Sequence, residues 1–102
     1  MKKIKLIAET AWHHNGDYKF MESLVSDILQ KTKLDILKMH ITLDVDEYMS
    51  SSHTTYNDTK KKMFSKVLWS DLIKQVIKNN VDLMLLYNDT KAIEFGTQFE
   101  PK

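Results

Sequence analysis

The sequence contains no cysteine and no arginine, and among its 102 residues there are only two glycines and one proline. Without cysteine the chain can form neither a disulfide nor a thiolate metal site, which fits a reducing compartment. The absence of arginine, combined with many Lys, Ile and Asn residues, indicates a bacterial coding bias and carries no functional information.

The sequence also has no excess of charge of either sign. Fifteen basic residues face 14 acidic ones, so the formal net charge is +1 and no overall field attracts nucleic acid or a membrane surface. No apolar run approaches the ~20 residues that span a bilayer. The run after Met1 is too short for a signal peptide and is broken by Lys5 and Glu9. We therefore expect a cytoplasmic protein without nucleic-acid or membrane partners.

The hydrophobic share of 42% and charged share of 28% are typical of a globular chain that forms one domain or part of one. Three short apolar runs alternate with helical patterns, which indicates an α/β fold with parallel strands. The predicted strands are Lys3–Glu9, Asp35–Thr42 and Val81–Tyr87. The predicted helices are Asp17–Lys31, Asp71–Asn79 with Ser70 as N-cap, and a last piece capped at 88–90 that runs to Phe95 and ends at Gly96. Residues 43–59 read as a long surface loop.

Functional groups stand near the ends of the first two predicted strands. Glu9 ends the first strand, and the alternation of a strand puts Lys38 and His40 on one face of the second. Parallel sheets carry their chemistry at the carboxyl ends of the strands. Buried charges need partners, so Glu9 and Lys38 are explained either by a salt bridge between them or by a ligand anion on Lys38.

The loop between the first strand and the first helix contains His13 and His14 before Asn15 and Gly16. The side chains of adjacent residues diverge and no further ligand motif supports them, so the pattern argues against a metal site. Asn-Gly is a strong turn signal, since both residues tolerate a positive φ.

Two segments together resemble the N-acetylneuraminate (sialic acid) synthase family. Ile7-Ala-Glu-Thr-Ala-Trp-His-His-Asn-Gly16 is similar to the family pattern Ile-Ala-Glu-Ile-Gly-x-Asn-His-Asn-Gly. Leu37-Lys-Met-His-Ile-Thr42 is similar to the family strand Val-Lys-Phe-Gln-Thr. The order and spacing of the two motifs agree, and the resemblance extends over essentially the whole chain.

The resemblance implies a TIM (β/α)8 barrel, a fold that takes ~250 residues. Residues 1–102 would then be a partial barrel domain, its first three βα units. An incomplete parallel sheet leaves edges and one face uncovered. We therefore expect the remainder of the barrel, or a homodimer partner, to cover them.

The resemblance also implies the reaction. Phosphoenolpyruvate condenses with an N-acetylated hexosamine to give a nine-carbon 2-keto sugar acid, with a divalent Mn or Mg ion whose ligands lie outside this chain. Glu9 would face the sugar as the catalytic residue, Lys38 would bind phosphoenolpyruvate, and His40 would replace the family's substrate-binding Gln. His14 and Asn15 match the family's His-Asn-Gly loop as substrate-binding residues. The 102 residues alone are expected to be inactive.

Two alternatives stay open. The chain is a non-catalytic sugar- or anion-binding βα module that completes a barrel with another chain, or an aldolase-like enzyme in which Lys38 forms a Schiff base. The third strand favours the first alternative, because it ends Met84-Leu-Leu-Tyr-Asn88 where the family tends to have Ser-Thr-Pro-Phe. Either Tyr87 and Asn88 replace those hydroxyls, or phosphate binds poorly, or the ligand is a different one.

Overall fold

The computed structural model describes residues 4–102 and contains one sheet of three parallel strands. The strands are β1 (Ile7–Glu9), β2 (Ile36–Ile41) and β3 (Asp82–Tyr87), hydrogen-bonded in the order β1-β2-β3. The register places Glu9 beside Lys38 and His40 beside Leu86. The prediction of an α/β fold with parallel strands is confirmed.

Five helices and one 3₁₀ turn accompany the strands in the described part of the chain. They are α1 (Tyr18–Lys31), α2 (Val45–Tyr48), α3 (Tyr56–Lys61), α4 (Lys66–Lys78), α5 (Thr90–Gly96) and the turn Thr97–Phe99. Helix α1 connects β1 to β2, and the segment containing α2, α3 and α4 connects β2 to β3. None of the helices within residues 4–102 is long and apolar enough to cross a membrane.

One face of the sheet forms the hydrophobic core with the helices. Leu37, Met39 and Ile41 alternate along β2 and are fully buried, and Met21 and Val25 of α1 are buried against them. Fully burying one such side chain contributes roughly 1.5–3 kcal/mol. The stability of the described fold therefore rests on this face, which we call the helix face.

The opposite face of the sheet, which we call the open face, lies outside this core. It consists of the alternate strand residues Ile7, Glu9, Ile36, Lys38, His40, Asp82, Met84 and Leu86. None of these eight side chains belongs to the core cluster formed by residues 4–102. The third strand was predicted to be covered on both faces, but among the described residues the core covers one.

Three of the predicted boundaries are wrong. The segment predicted as a loop over residues 43–59 contains all of α2 and the start of α3. Asp44 caps α2 by accepting a hydrogen bond from the Asp46 N–H, and Val45 is buried. The polar composition of the segment obscured a helix turn that has a local cap and one buried apolar side chain.

Helix α4 begins at Lys66 and not at Asp71, because its N-cap is Ser65, whose hydroxyl accepts from the Leu68 N–H at 3.3 Å. Trp69 is 2% exposed and extends the buried stripe of this helix towards its N-terminus, so Ser70 lies inside the helix. The other predicted ends agree to within one residue, except that of the first strand. That strand begins at Ile7, and the predicted start at Lys3 lies outside the described residues.

Candidate functional site

Three of the predicted site residues meet on the open face. Glu9 is the last residue of β1 and Lys38 is its register partner on β2, so the two side chains leave the sheet side by side. His40 lies two residues further along β2 and projects from the same face. Glu9 is separated from Lys38 and His40 by 29 and 31 positions in the sequence, so it is the parallel register that brings them together.

A single carboxylate oxygen joins the three side chains. Glu9 Oε1 lies 3.4 Å from Lys38 Nζ and accepts a short hydrogen bond from His40 Nε2. The side chains of Glu9, Lys38 and His40 are 45%, 27% and 17% exposed, so the group is reachable from solvent. The salt bridge considered from the sequence is therefore present, and it leaves the other Glu9 oxygen and most of the ammonium's donors for a ligand.

The electrostatics of this group favour an ionised carboxylate. The hydrogen bond from His40 has the largest effect and lowers the pKa of Glu9 below its ordinary value of 4.5. Desolvation opposes this shift, and the hydrogen bond and positive charge of Lys38 lower the pKa further. At neutral pH the group therefore presents a carboxylate acceptor, an ammonium donor and an imidazole ring. It can orient a polar ligand that carries both hydroxyl groups and an anionic group.

His14 occupies a different environment. It is 2% exposed, and its ring centroid lies 4.3 Å from that of Phe64 and 5.6 Å from that of Trp12. Its Nδ1 accepts the Gly16 N–H at 2.9 Å. Burial lowers the pKa of His14, with a further contribution from the charge of Lys62, so the ring is neutral. These contacts give His14 a role in holding the β1–α1 loop, and its substrate role stays a prediction.

Asn15 and Gly16 form the predicted turn. Asn15 has a φ of 52° and is exposed, and Gly16 has a φ of 81°. A Cβ at Gly16 would also lie 2.9 Å from the Lys62 backbone, so both conformation and space require glycine here. The structure does not place His14 and Asn15 in the Glu9–Lys38–His40 group, and substrate binding by Asn15 likewise stays a prediction.

The end of β3 offers the open face no tyrosine hydroxyl. Tyr87 belongs to the helix face, and its hydroxyl packs against Gly96 of α5, buried and without a hydrogen-bond partner among residues 4–102. Burial raises the pKa of Tyr87. Asn88 instead donates to Thr42 Oγ1 at 2.8 Å, which joins the ends of β2 and β3. Tyr87 therefore does not replace the hydroxyls that this strand lacks.

Sequence reasoning missed the role of Asp89. Its buried carboxylate accepts the N–H groups of Leu43 and Asp44 at 2.7 and 3.0 Å and that of Ala92 at 2.7 Å. Glu47 adds to this connection by accepting the Thr90 N–H at 3.0 Å. The N-cap position of Asp89 was visible locally, but its contacts across 45 and 46 residues carry no local sequence signal.

The described residues do not form a metal site. No group of three or more His, Cys, Asp and Glu side chains within residues 4–102 is arranged to hold an ion. Glu9 and His40 adjoin, but the imidazole Nε2 is engaged by the carboxylate. The divalent ion that the resemblance implies stays a prediction, with its ligands expected outside this chain.

Comparison with known proteins shows a structural relationship. No protein-family model and no curated protein matches the chain. The fold is similar to the crystal structure of N-acetylneuraminic acid (sialic acid) synthetase from Leptospira borgpetersenii serovar Hardjo-bovis in complex with citrate, with a TM-score of 0.81 and 17% sequence identity. The match covers 96% of this chain and 34% of that one, so the chain spans about a third of the synthetase. The described chain thus has the fold of one part of a sialic acid synthetase.

Proposed function

We propose that these residues are the first three βα units of a (β/α)8 barrel of the sialic acid synthase family. The observation that carries the proposal is the meeting of Glu9, Lys38 and His40 on the open face, at the positions that match the family's two motifs. The fold similarity supports it independently, because it covers nearly the whole chain. In a closed barrel the open face would line the interior and the helices would form the outer ring.

The reaction proposed for the complete barrel condenses phosphoenolpyruvate with an N-acetylated hexosamine. A carbon–carbon bond forms between the phosphoenolpyruvate methylene carbon and the sugar aldehyde carbon, water is consumed, and inorganic phosphate leaves to give a nine-carbon 2-keto sugar acid. Lys38 binds the phosphoenolpyruvate anion, and Glu9 accepts hydrogen bonds from the sugar hydroxyl groups. His40 holds Glu9 ionised and oriented between them.

The test is an assay of the product of the complete native reading frame that contains these residues. We expect inorganic phosphate to be released from phosphoenolpyruvate only when an N-acetylated hexosamine and Mn²⁺ are added. Lys38→Ala should abolish the release, whereas Lys66→Ala, a control at an exposed lysine, should leave it intact. Phosphate release that does not depend on the sugar, or no release at all, would contradict the proposed reaction.

A second candidate is the non-catalytic module that binds a sugar or an anion and completes a barrel with another chain. The end of β3 favours it, because Tyr87 faces the helices and the carboxylates of Asp89 and Glu47 already fill backbone donors at the start of α5. Phosphate would find few free donors there. Binding of phosphoenolpyruvate or the sugar in a calorimetric titration, with no phosphate release in the assay above, would support this candidate.

The Schiff-base enzyme is the least supported of the three. An attacking amine must be neutral, and Lys38 is held in an ion pair with Glu9. Treatment with borohydride in the presence of a keto acid distinguishes it, since only an imine is reduced to a stable adduct. We expect no mass increase on Lys38.

A further inference from the structure

His40 is joined to the rest of the site through only one of its two ring nitrogens. Its Nε2 forms a short hydrogen bond with Glu9 Oε1. An ionised carboxylate can only accept, so Nε2 carries the proton of this hydrogen bond. In the neutral ring the second nitrogen, Nδ1, therefore holds the free lone pair. Residues 4–102 give Nδ1 no hydrogen-bond partner, so it is available to take up a proton.

The other charged groups of the open face do not compete for this role. The Lys38 ammonium has no lone pair, and the lowered pKa of Glu9 makes its carboxylate a weak base. On β3 the register partner of His40 is Leu86, which does not titrate. Asp82, the remaining titratable residue of that face of β3, pairs with the first residue of β2 at the opposite end of the sheet. Histidine is thus the group of this site that exchanges a proton near neutral pH.

The position of His40 suits a base for the proposed condensation. His40 and Lys38 are two residues apart on β2, which corresponds to roughly 7 Å along a strand, and they project from the same face. Phosphoenolpyruvate bound to Lys38 therefore lies beside the imidazole. The His40 side chain is 17% exposed, so water reaches it. The condensation consumes one water molecule, which must lose a proton as its oxygen bonds to carbon.

We propose that His40 is a catalytic residue, the general base that activates this water, and that Glu9 positions the ring by holding the proton on Nε2. The inference rests on the proposed function and adds a group to it, since the family motif has Gln at this position and an amide does not take up a proton near neutral pH. Glu9 uses Oε1 for the ring, and its second oxygen stays available to the sugar.

The proton transfers balance over the whole reaction. The π electrons of phosphoenolpyruvate form the carbon–carbon bond, which leaves an alkoxide on the former aldehyde carbon and an electron-poor C2. The water oxygen bonds to C2 while one water proton moves to His40 Nδ1. The new C2 hydroxyl gives its proton to the departing phosphate as the bond from C2 to the phosphate oxygen breaks and the ketone forms. The imidazolium then returns its proton to the alkoxide, and the ring is neutral again.

The test is the pH dependence of phosphate release by the product of the complete native reading frame. His40→Gln keeps an N–H donor for Glu9 but has no basic nitrogen, so its kcat should fall about 100-fold or more. Its KM should change less than about threefold, because the binding groups remain. His53→Gln is the matched control at an exposed histidine outside the site, and its kcat should equal that of the wild type.

The wild-type kcat should decrease as the pH is lowered from about 8 to about 5, because a protonated ring has no lone pair. Protonation of phosphoenolpyruvate affects the wild type and His40→Gln alike, so the ratio of their kcat values should approach one at the acid end. A thermal melt shows whether His40→Gln folds, and His40→Asn replaces it if it does not.

A wild-type kcat in His40→Gln, or a kcat ratio that does not change with pH, would overturn the inference and leave the proposed function standing. A raised KM with an unchanged kcat would overturn it as well, because His40 would then only orient Glu9 for binding. Absence of phosphate release by the wild type at every pH is a different result, which refutes the proposed function itself and the inference with it.

Discussion

The two faces of the same three strands differ in what they are made of. On the helix face of β2, Leu37, Met39 and Ile41 have no exposed surface, whereas Lys38 and His40 between them are partly exposed on the open face. One strand thus contributes alternate residues to the core and to a polar site. The difference shows that the helix face supplies stability. The open face can carry charged groups, because their contacts with one another offset the free-energy cost of desolvating them.

The largest expected loss of stability follows from a substitution on the helix face. Met39→Ala should lower the free energy of unfolding by about 2–5 kcal/mol, because it leaves a cavity in a fully buried position. Leu86→Ala on the open face should cost only about 1 kcal/mol, since that residue lies outside the core cluster of the described chain. Urea denaturation measures both. Equal losses would show that the open face is a second core.

Asp89 ties the loop after β2 to the start of α5, and its removal should have the next largest effect. Asp89→Ala leaves three backbone N–H groups without their acceptor and should lower the free energy of unfolding by about 2–3 kcal/mol. Asp89→Asn keeps one acceptor oxygen and should cost less. A loss below about 0.5 kcal/mol in the alanine variant would contradict the role assigned to this carboxylate.

The contact between Tyr87 and Gly96 offers a paired test on the helix face. A Cβ at Gly96 would lie 2.3 Å from the Tyr87 ring, so Gly96→Ala should cost about 1–3 kcal/mol through overpacking. Tyr87→Leu should recover part of that loss in the double variant. Tyr87→Phe alone should be neutral or stabilising by up to about 1 kcal/mol, because the buried hydroxyl has no partner among the described residues.

His14 should make stability depend on pH in a smaller way. Its pKa in the folded protein is lowered by burial, so the unfolded chain binds the proton more readily. The stability that this contributes is present above the ordinary pKa of 6.5 and is lost as the pH falls from there through the lower pKa of the folded state. His14→Gln should remove this part of the pH dependence in denaturation curves measured between about pH 7 and pH 5. An unchanged slope would contradict a neutral, buried ring.

Protonation of Glu9 on the open face should have the smallest effect on stability. Its lowered pKa means that its contribution is present above 4.5 and is lost as the pH falls through the folded-state value. The group is exposed, so the change in stability should be slight. Glu9→Gln should flatten the acid end of the stability curve and leave the neutral region unchanged. A large loss of stability at pH 7 in this variant would favour a purely structural ion pair.

The sequence allowed prediction of the three strands, α1 and the three residues that meet on the open face. These features follow from local periodicity and from the rule that parallel strands align their carboxyl ends. The helices α2 and α3 and the burial of His14 were not predicted. They depend on tertiary structure, such as the burial of Val45 and the contact of His14 with Phe64, which leaves no local pattern in the sequence.

Lys38 is proposed to bind an anion on the open face without being needed for folding. Calorimetric titration with phosphoenolpyruvate of the wild type and of Lys38→Ala separates these two roles. We expect binding to weaken about tenfold or more in the variant, while the free energy of unfolding changes by less than about 1 kcal/mol. Equal binding by both proteins, or a variant that no longer folds, would rule out this role of Lys38.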